Sequence, residues 1–177
     1  MTERYVVFSH GKDSEPWGRK IAELAETARS EGFHVESVDY RGIDSVRGRL
    51  EALHCACQKL PGDLVLVGSS LGGYLSVASA AQLHARAVFL MAPALYHDDL
   101  PPLKPGTLDC PATIVHGWND EVVPVDGSIR FAREHGSQLL LLPGDHRLHE
   151  QLPTIRFLFE QFLITIDFKR PFRNRAR

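Results

Sequence analysis

Short runs rich in Val, Leu, Ile and Phe punctuate this chain at regular intervals, over residues 5–9, 34–39, 64–69, 87–91, 113–116 and 138–142. Several are almost continuously apolar, which is how strands buried on both faces read. Between them apolar residues recur at helical spacing. Trp17, Ile21, Leu24, Ala25 and Ala28 form one stripe, and Ile43, Val46, Leu50, Leu53, Cys57 and Leu60 a second. Ile155, Leu158, Phe159, Phe162, Leu163 and Ile166 form a third behind Pro153, a residue suited to a first helical turn. Strand and helix in alternation demand right-handed crossovers. The expected fold is therefore α/β: a three-layer sandwich of about six mostly parallel strands with helices on both faces. In such sheets ligands collect beyond the carboxyl ends of the strands, so the loops that follow these runs are where chemistry is sought.

A chain of 177 residues can bury one substantial core, and we assign residues 1–168 to a single domain. Residues 169–177 form a basic tail carrying Lys169, Arg170, Arg173, Arg175 and Arg177, which reads as a solvated, flexible end. The net charge of -2 argues against nucleic acid or a membrane surface as partner for the body of the chain. No apolar stretch approaches the ~20 residues of a membrane span, and the first residues enter a strand without a secretory core, so a cytoplasmic location is expected. Cys55, Cys57 and Cys110 are odd in number and match no metal spacing, so neither a disulfide framework nor a zinc site is expected. Residues 94–109 are long and proline-rich for a connection inside a compact domain; they either border a site or form a surface loop.

Gly68-Ser69-Ser70-Leu71-Gly72 follows one apolar run and precedes a stretch of small residues suited to a helix packed closely on a sheet. Strand, turn, helix is the setting of a nucleophile elbow, in which a serine projects from a strained turn so tight that side chains two positions away would clash. Centring the pentapeptide selects Ser70; Ser69 belongs to the strand end. A serine hydroxyl is a poor nucleophile at neutral pH and needs a base, which in turn needs an orienting acid. Asp120 lies just beyond the run at 113–116 and is nearer the strand end than its neighbour Glu121. His146 lies in the loop after the run at 138–142. His149, at the approach to the last helix, competes with it as the base, whereas His135 is expected to close the helix after Pro124. Asp145 either ties down the His146 loop or is simply solvated. For an oxyanion hole, two backbone N–H groups are needed. Leu71, opening its helix, is one candidate, and Lys12, beside Gly11 in the turn after the first run, is the other.

Serine, acid and histidine thus occur in that order, each beyond a strand. With the His10-Gly11 turn, His116-Gly-Trp-Asn-Asp-Glu-Val-Val-Pro124 and Gly144-Asp-His-Arg-Leu148, the chain resembles the α/β-hydrolase family over nearly its whole length. It is similar to small, cap-less members described as esterases, thioesterases or dienelactone-hydrolase-like proteins. The resemblance implies acyl-serine catalysis with Ser70 as nucleophile, Asp120 as acid, His146 as base, Lys12 and Leu71 as oxyanion donors, and no metal or organic cofactor. The first strand corresponds to the third of a full-length member, no insertion is long enough for a cap domain, and residues 94–109 alone are left to cover the site. The elbow carries serine where dienelactone hydrolases carry cysteine. Leu95, Tyr96, Trp118 and Leu148 are candidate pocket-lining residues. The expected function is a serine hydrolase acting on a small-molecule ester or thioester, with an amide as a further possibility. A hydrolase-fold protein that binds without catalysis is the alternative.

Overall fold

The computed structural model describes residues 2–104 and 107–169. Residues 170–177 lie outside the described residues, and with them the expectation for the basic tail. Six parallel strands, β1 (Arg4–Ser9), β2 (His34–Val38), β3 (Asp63–Ser69), β4 (Ala87–Met91), β5 (Ala112–Gly117) and β6 (Gln138–Leu142), form one sheet in the order β2-β1-β3-β4-β5-β6. The helices are α1 (Arg19–Ser30), α2 (Val46–Cys57), α3 (Leu71–Ala80), α4 (Val125–His135) and α5 (Leu152–Thr165), the last preceded by a 3₁₀ turn at His149–Gln151.

Successive strand side chains point to opposite faces, and the core divides accordingly. Val6, Phe8, Val65, Val67, Phe89 and Val115 pack with α1 and α5. Val7, Leu64, Leu66, Val88, Leu90 and Ile114 pack with α2, α3 and α4. Residues from β1, β3, β4 and β5 thus supply both cores at once, which is why these runs are apolar without alternation. The edge strands β2 and β6 are more exposed, and β2 is also less uniformly apolar.

All three helical stripes lie largely on helices, with the first member of each of the first two falling before its helix. Trp17 is 47% exposed, because α1 begins only at Arg19 after Gly18, and it lies outside the core beneath the Arg29 guanidinium, 5.8 Å from its ring centre. Ile43 likewise precedes α2, whose N-cap is Ser45, its hydroxyl accepting from Gly48 N–H at 3.0 Å. His135 ends α4, followed by Gly136 in the left-handed region.

Residues 92–111 are the crossover from the top of β4 to the bottom of β5, and the described residues among them form no helix. Ala94 N–H bonds to the Ser70 carbonyl at one end, and Ala81 N–H at the foot of α3 bonds to the Thr107 carbonyl at the other. In between, Tyr74 on α3 donates to the Pro101 carbonyl at 2.9 Å, and Leu100, Leu103 and Leu108 pack on the α2–α3 side of the core. Beyond Tyr96 this segment therefore runs down α3 as a strap. The expectation that residues 94–109 cover the site is met only by their first few members.

The chain leaves β1 towards β2 on one side and returns to build β3 to β6 on the other, so the direction of winding changes between β1 and β3. The crevice beyond the carboxyl ends of those two strands is where an open α/β sheet binds its ligand.

Candidate active site

Ser70 sits in that crevice. It is the residue between the end of β3 and the start of α3, and its backbone is at φ 55, ψ -122. A non-glycine residue at positive φ costs about 1–3 kcal/mol and persists only when its surroundings enforce it. Here they do: Ser70 N–H donates to the Met91 carbonyl at 3.0 Å, and its own carbonyl accepts from Gly73 N–H at 2.9 Å and Ala94 N–H at 3.0 Å. The close approach is made possible by Gly72, where a Cβ would lie 1.9 Å from the Ser9 carbonyl oxygen. Leu71 opens α3, so its N–H is among the donors a helix leaves without an internal partner. Ser69 ends β3 and is buried, turned away from this turn.

The loop after β1 passes beside the serine. A Cβ on Gly11 would lie 3.3 Å from Ser70 Cβ. Its shape is set by His10, 1% exposed, whose Nε2 accepts from Tyr40 N–H at 3.0 Å. That leaves the proton on Nδ1, which donates to the Gly11 carbonyl at 2.8 Å. The peptide is trans, so with the Gly11 carbonyl held by His10, the Lys12 N–H on the same plane is aimed the opposite way. Tyr40 also shares a hydrogen bond of 2.8 Å with the Ser9 hydroxyl. Burial lowers the His10 pKa, against a smaller opposing effect of the Gly11 carbonyl, and keeps the ring neutral.

On the other flank, the loops after β5 and β6 are stitched together. Trp118 N–H bonds to the Leu142 carbonyl at 2.9 Å and Asn119 N–H to the Gly144 carbonyl at 3.0 Å. Gly117 permits this approach, since a Cβ there would lie 2.3 Å from the Gly144 oxygen. The pairing brings Asp120 Oδ2 to 2.7 Å from His146 Nδ1. Asp120 is fully buried, while the His146 side chain is 20% exposed. With Nδ1 on the acid, Nε2 is the nitrogen left for a substrate or a nucleophile. His149 is exposed in the 3₁₀ turn, and Glu121 is exposed too; neither shares this contact. Asp145 accepts from Arg147 N–H at 2.9 Å and Leu148 N–H at 3.0 Å, so it does tie down the His146 loop.

Asp120 is surrounded by donors. Its Oδ1 accepts from the N–H groups of Val122, at 2.9 Å, and Val123, at 2.8 Å. Its Oδ2 takes a further contact of 3.0 Å from Nε2 of His116, a buried residue on β5. Burial alone would raise the Asp120 pKa, but the Val123 N–H, His146 and the Val122 N–H together outweigh it and hold the carboxyl below its ordinary value. His116 is lowered, chiefly by burial and against the Val123 carbonyl and the Asp120 charge. In the first turn of α1, half-buried Lys20 is near enough to feel the charges of Asp120 and Asp145, and burial lowers it to about 8. His116 and Lys20 are functional candidates that sequence reasoning passes over.

These shifts predict a pH dependence of stability. Asp120, His10 and His116 all bind fewer protons in the folded chain than in the unfolded one, so acidification favours unfolding. The histidine contribution is intact above about pH 6.5 and is lost as pH falls towards the lowered folded values; the Asp120 contribution is lost only below about pH 4. The melting temperature should fall steadily from pH 7 to pH 5 in buffers of constant ionic strength. A flat curve over that window would contradict the assignment.

Of the candidate lining residues, Leu95 and Tyr96 border a cavity of about 760 Å³ against Val123, Pro124 and α4. Tyr96 is stacked under Arg130, 3.9 Å from its ring centre, and donates to Glu134. Trp118 is 56% exposed beside the Asp120 loop. Leu148 is placed in the core with Ile155 and Phe159 instead, because its left-handed backbone turns it under the loop. No helix among the described residues is long and apolar enough to cross a membrane. No group of three or more His, Cys, Asp or Glu among them is placed to hold a metal ion.

A search of curated proteins gives no match. Among solved structures, a putative hydrolase of the alpha/beta superfamily from Xanthomonas campestris pv. campestris is 32% identical, with a TM-score of 0.85 over 92% of this chain and 99% of that one. A serine hydrolase without a lid from Xanthomonas campestris is 18% identical at a TM-score of 0.74, over 91% of this chain and 81% of its own. Est1E from Butyrivibrio proteoclasticus is 20% identical at 0.76, over 92% and 87%. These last two share the fold. The model of the alpha/beta hydrolase family matches residues 6–170, and the chain belongs to that family.

Proposed function

We propose that this protein is a serine hydrolase that cleaves a carboxylic ester or thioester through an acyl-Ser70 intermediate. The observation that carries the reading is the pair Asp120–His146, held at 2.7 Å with one imidazole nitrogen left over, on loops that converge on the sheet end where Ser70 occupies its strained turn. His146 Nε2 takes the proton as Ser70 Oγ attacks the substrate carbonyl carbon. The carbonyl oxygen then becomes an oxyanion, stabilised by the N–H groups of Lys12 and Leu71. Collapse of the intermediate breaks the bond to the alcohol or thiol, which leaves with the proton from His146. Water, deprotonated by the same imidazole, attacks the acyl-enzyme; the second collapse releases the acid and restores Ser70. Asp120 keeps the proton on His146 Nδ1 and stabilises the imidazolium formed in each half-reaction.

Among the described residues no cap covers the crevice, and the strap leaves it at Tyr96. This favours small, accessible ester or thioester groups over substrates that must be enclosed. A fluorophosphonate probe tests the reading directly: the native protein should label on a peptide containing Ser70, and Ser70→Ala should not label while keeping its melting temperature within a few degrees. Labelling that survives Ser70→Ala would overturn Ser70 as the nucleophile, and a well-folded native protein that fails to label would favour the non-catalytic alternative. A series of p-nitrophenyl esters, matched thioesters and anilides then ranks the leaving groups.

A further inference from the structure

The mechanism above leaves a buried, titratable side chain unused. His116 is fully buried near the end of β5, in a run whose other inward positions are apolar, and its ring is hydrogen-bonded on both edges. Nε2 lies 3.0 Å from Asp120 Oδ2 and 3.0 Å from the Val123 carbonyl oxygen. Both neighbours only accept, so Nε2 carries a hydrogen and shares it between them. On the other edge, Nδ1 lies 2.7 Å from the Ser128 hydroxyl on α4, also fully buried. A neutral ring with its proton on Nε2 must accept there, so Ser128 O–H donates. Ser128, His116, Asp120 and the Nδ1 edge of His146 are then matched donor to acceptor, with both imidazoles directing an N–H towards Asp120.

That direction has a consequence for the acid. Asp120 Oδ1 is filled by the two backbone N–H groups of Val122 and Val123, and Oδ2 by His116 and His146. Four donors occupy the four lone-pair directions of the carboxylate, so it can neither rotate nor offer its charge to His146 alone.

We propose that His116 is a positioning residue which, by donating to the same oxygen that orients His146, fixes the carboxylate plane and moderates the basicity of the catalytic imidazole. It never touches substrate and acts only through Asp120. Because its hydrogen bond drains charge from Oδ2, the imidazolium form of His146 is less stabilised than it would be by an otherwise free carboxylate. The inference rests on the serine-hydrolase reading for its kinetic meaning, but the hydrogen-bond chain can be examined without turnover. Other charges facing the pair are Lys20 on α1 and Asp145 on the His146 loop, and both are unchanged in the variants below.

His116→Met removes the donor at similar volume, whereas His116→Gln retains an amide N–H₂ that can reach both Asp120 Oδ2 and the Val123 carbonyl. In His116→Met the imidazole titration of His146, followed by NMR on the resting protein, should lie above that of the native protein, because the carboxylate keeps more of its charge for the imidazolium. The acid limb of kcat/KM on an ester should move with it, and kcat should fall about 10- to 100-fold, the range for loss of an outer hydrogen-bond partner. His116→Gln should restore both towards the native values. If Met and Gln shift His146 equally, or neither shifts it, His116 is a packing residue and the proposal fails. Should His116→Met not fold, the native protein still decides: ¹⁵N shifts of His116 must report a neutral ring protonated on Nε2 from pH 6 to 9, and an Nδ1–H tautomer or a charged ring would overturn the proposal. Failure of the serine-hydrolase reading looks different, as absent Ser70 labelling with the His146 titration still responsive to His116→Met.

Discussion

Asp120→Asn should reduce turnover of an activated ester by about 10⁴-fold and leave the chain folded. The size of the effect follows from the partners of the carboxylate. The edge that accepts from Val122 and Val123 N–H can remain an oxygen, so the loop keeps its backbone bonds. The amide NH₂ must then face His146 and His116, both of which present N–H groups towards that position. Relief comes when His146 moves its proton to Nε2 and accepts from the asparagine on Nδ1. In that tautomer Nε2, the nitrogen left for a nucleophile, can no longer take a proton. Initial rates on a p-nitrophenyl ester, with a thermal melt as control, provide the check. A folded variant that keeps more than about a tenth of native turnover would show that Asp120 does not act as the orienting acid.

Gly72→Ala should be the most destabilising single methyl that can be added to the chain near the site, at about 4 kcal/mol or more. The new Cβ would lie 1.9 Å from the Ser9 carbonyl oxygen, 2.4 Å from its carbon and 2.8 Å from the His10 oxygen. These are backbone atoms at the end of a central strand and cannot swing aside as a flexible side chain would. Overpacking of this kind forces a shift of the strand end, and with it the Gly11–Lys12 turn. Gly136→Ala provides the contrast: its φ of +63 is unfavourable for alanine, but nothing lies within 4 Å of the added carbon. The strain alone should cost only about 1–2 kcal/mol. Urea denaturation of the two variants separates steric exclusion from backbone strain. Equal midpoints would refute the distinction.

The architecture was readable because strands buried on both faces leave an unmistakable trace, and because helices packed on them repeat at a fixed spacing. The positions of Ser70, Asp120 and His146 in the fold were legible for a related reason. Each sits in the first few residues past a strand, where order along the chain and order in space coincide. What could not be read depends on contacts between segments far apart in sequence. The strap is one case: proline content and length mark residues 94–109 as unusual, but only the Tyr74–Pro101 and Ala81–Thr107 bonds show that they descend along α3. The neutral His10 is another, since the Tyr40 N–H that fixes its tautomer comes from beyond β2. For His116 a signal was present. A histidine ending the apolar run Thr113-Ile-Val-His116 needs a buried partner, and Asp120 follows four residues later. Lys20 left no such trace, because a lysine in the first turn of an amphipathic helix is ordinary on the surface.

The change of winding between β1 and β3 also divides labour within the site. Everything that would hold negative charge on the substrate oxygen lies at or before that change: the Gly11–Lys12 turn, its His10 and Tyr40 buttress, and the first N–H of α3. Everything that would move protons arrives from the far half of the sheet on β5 and β6. The two sets of loops sit on opposite flanks of Ser70, so a change that retunes pH response need not disturb oxyanion affinity, nor the reverse. A catalyst assembled this way is modular in its loops: those after β1 and β3, and those after β5 and β6, could be exchanged with those of a relative as two separable adjustments, one of transition-state charge and one of proton traffic, while the core shared by α1 and α5 stays as it is.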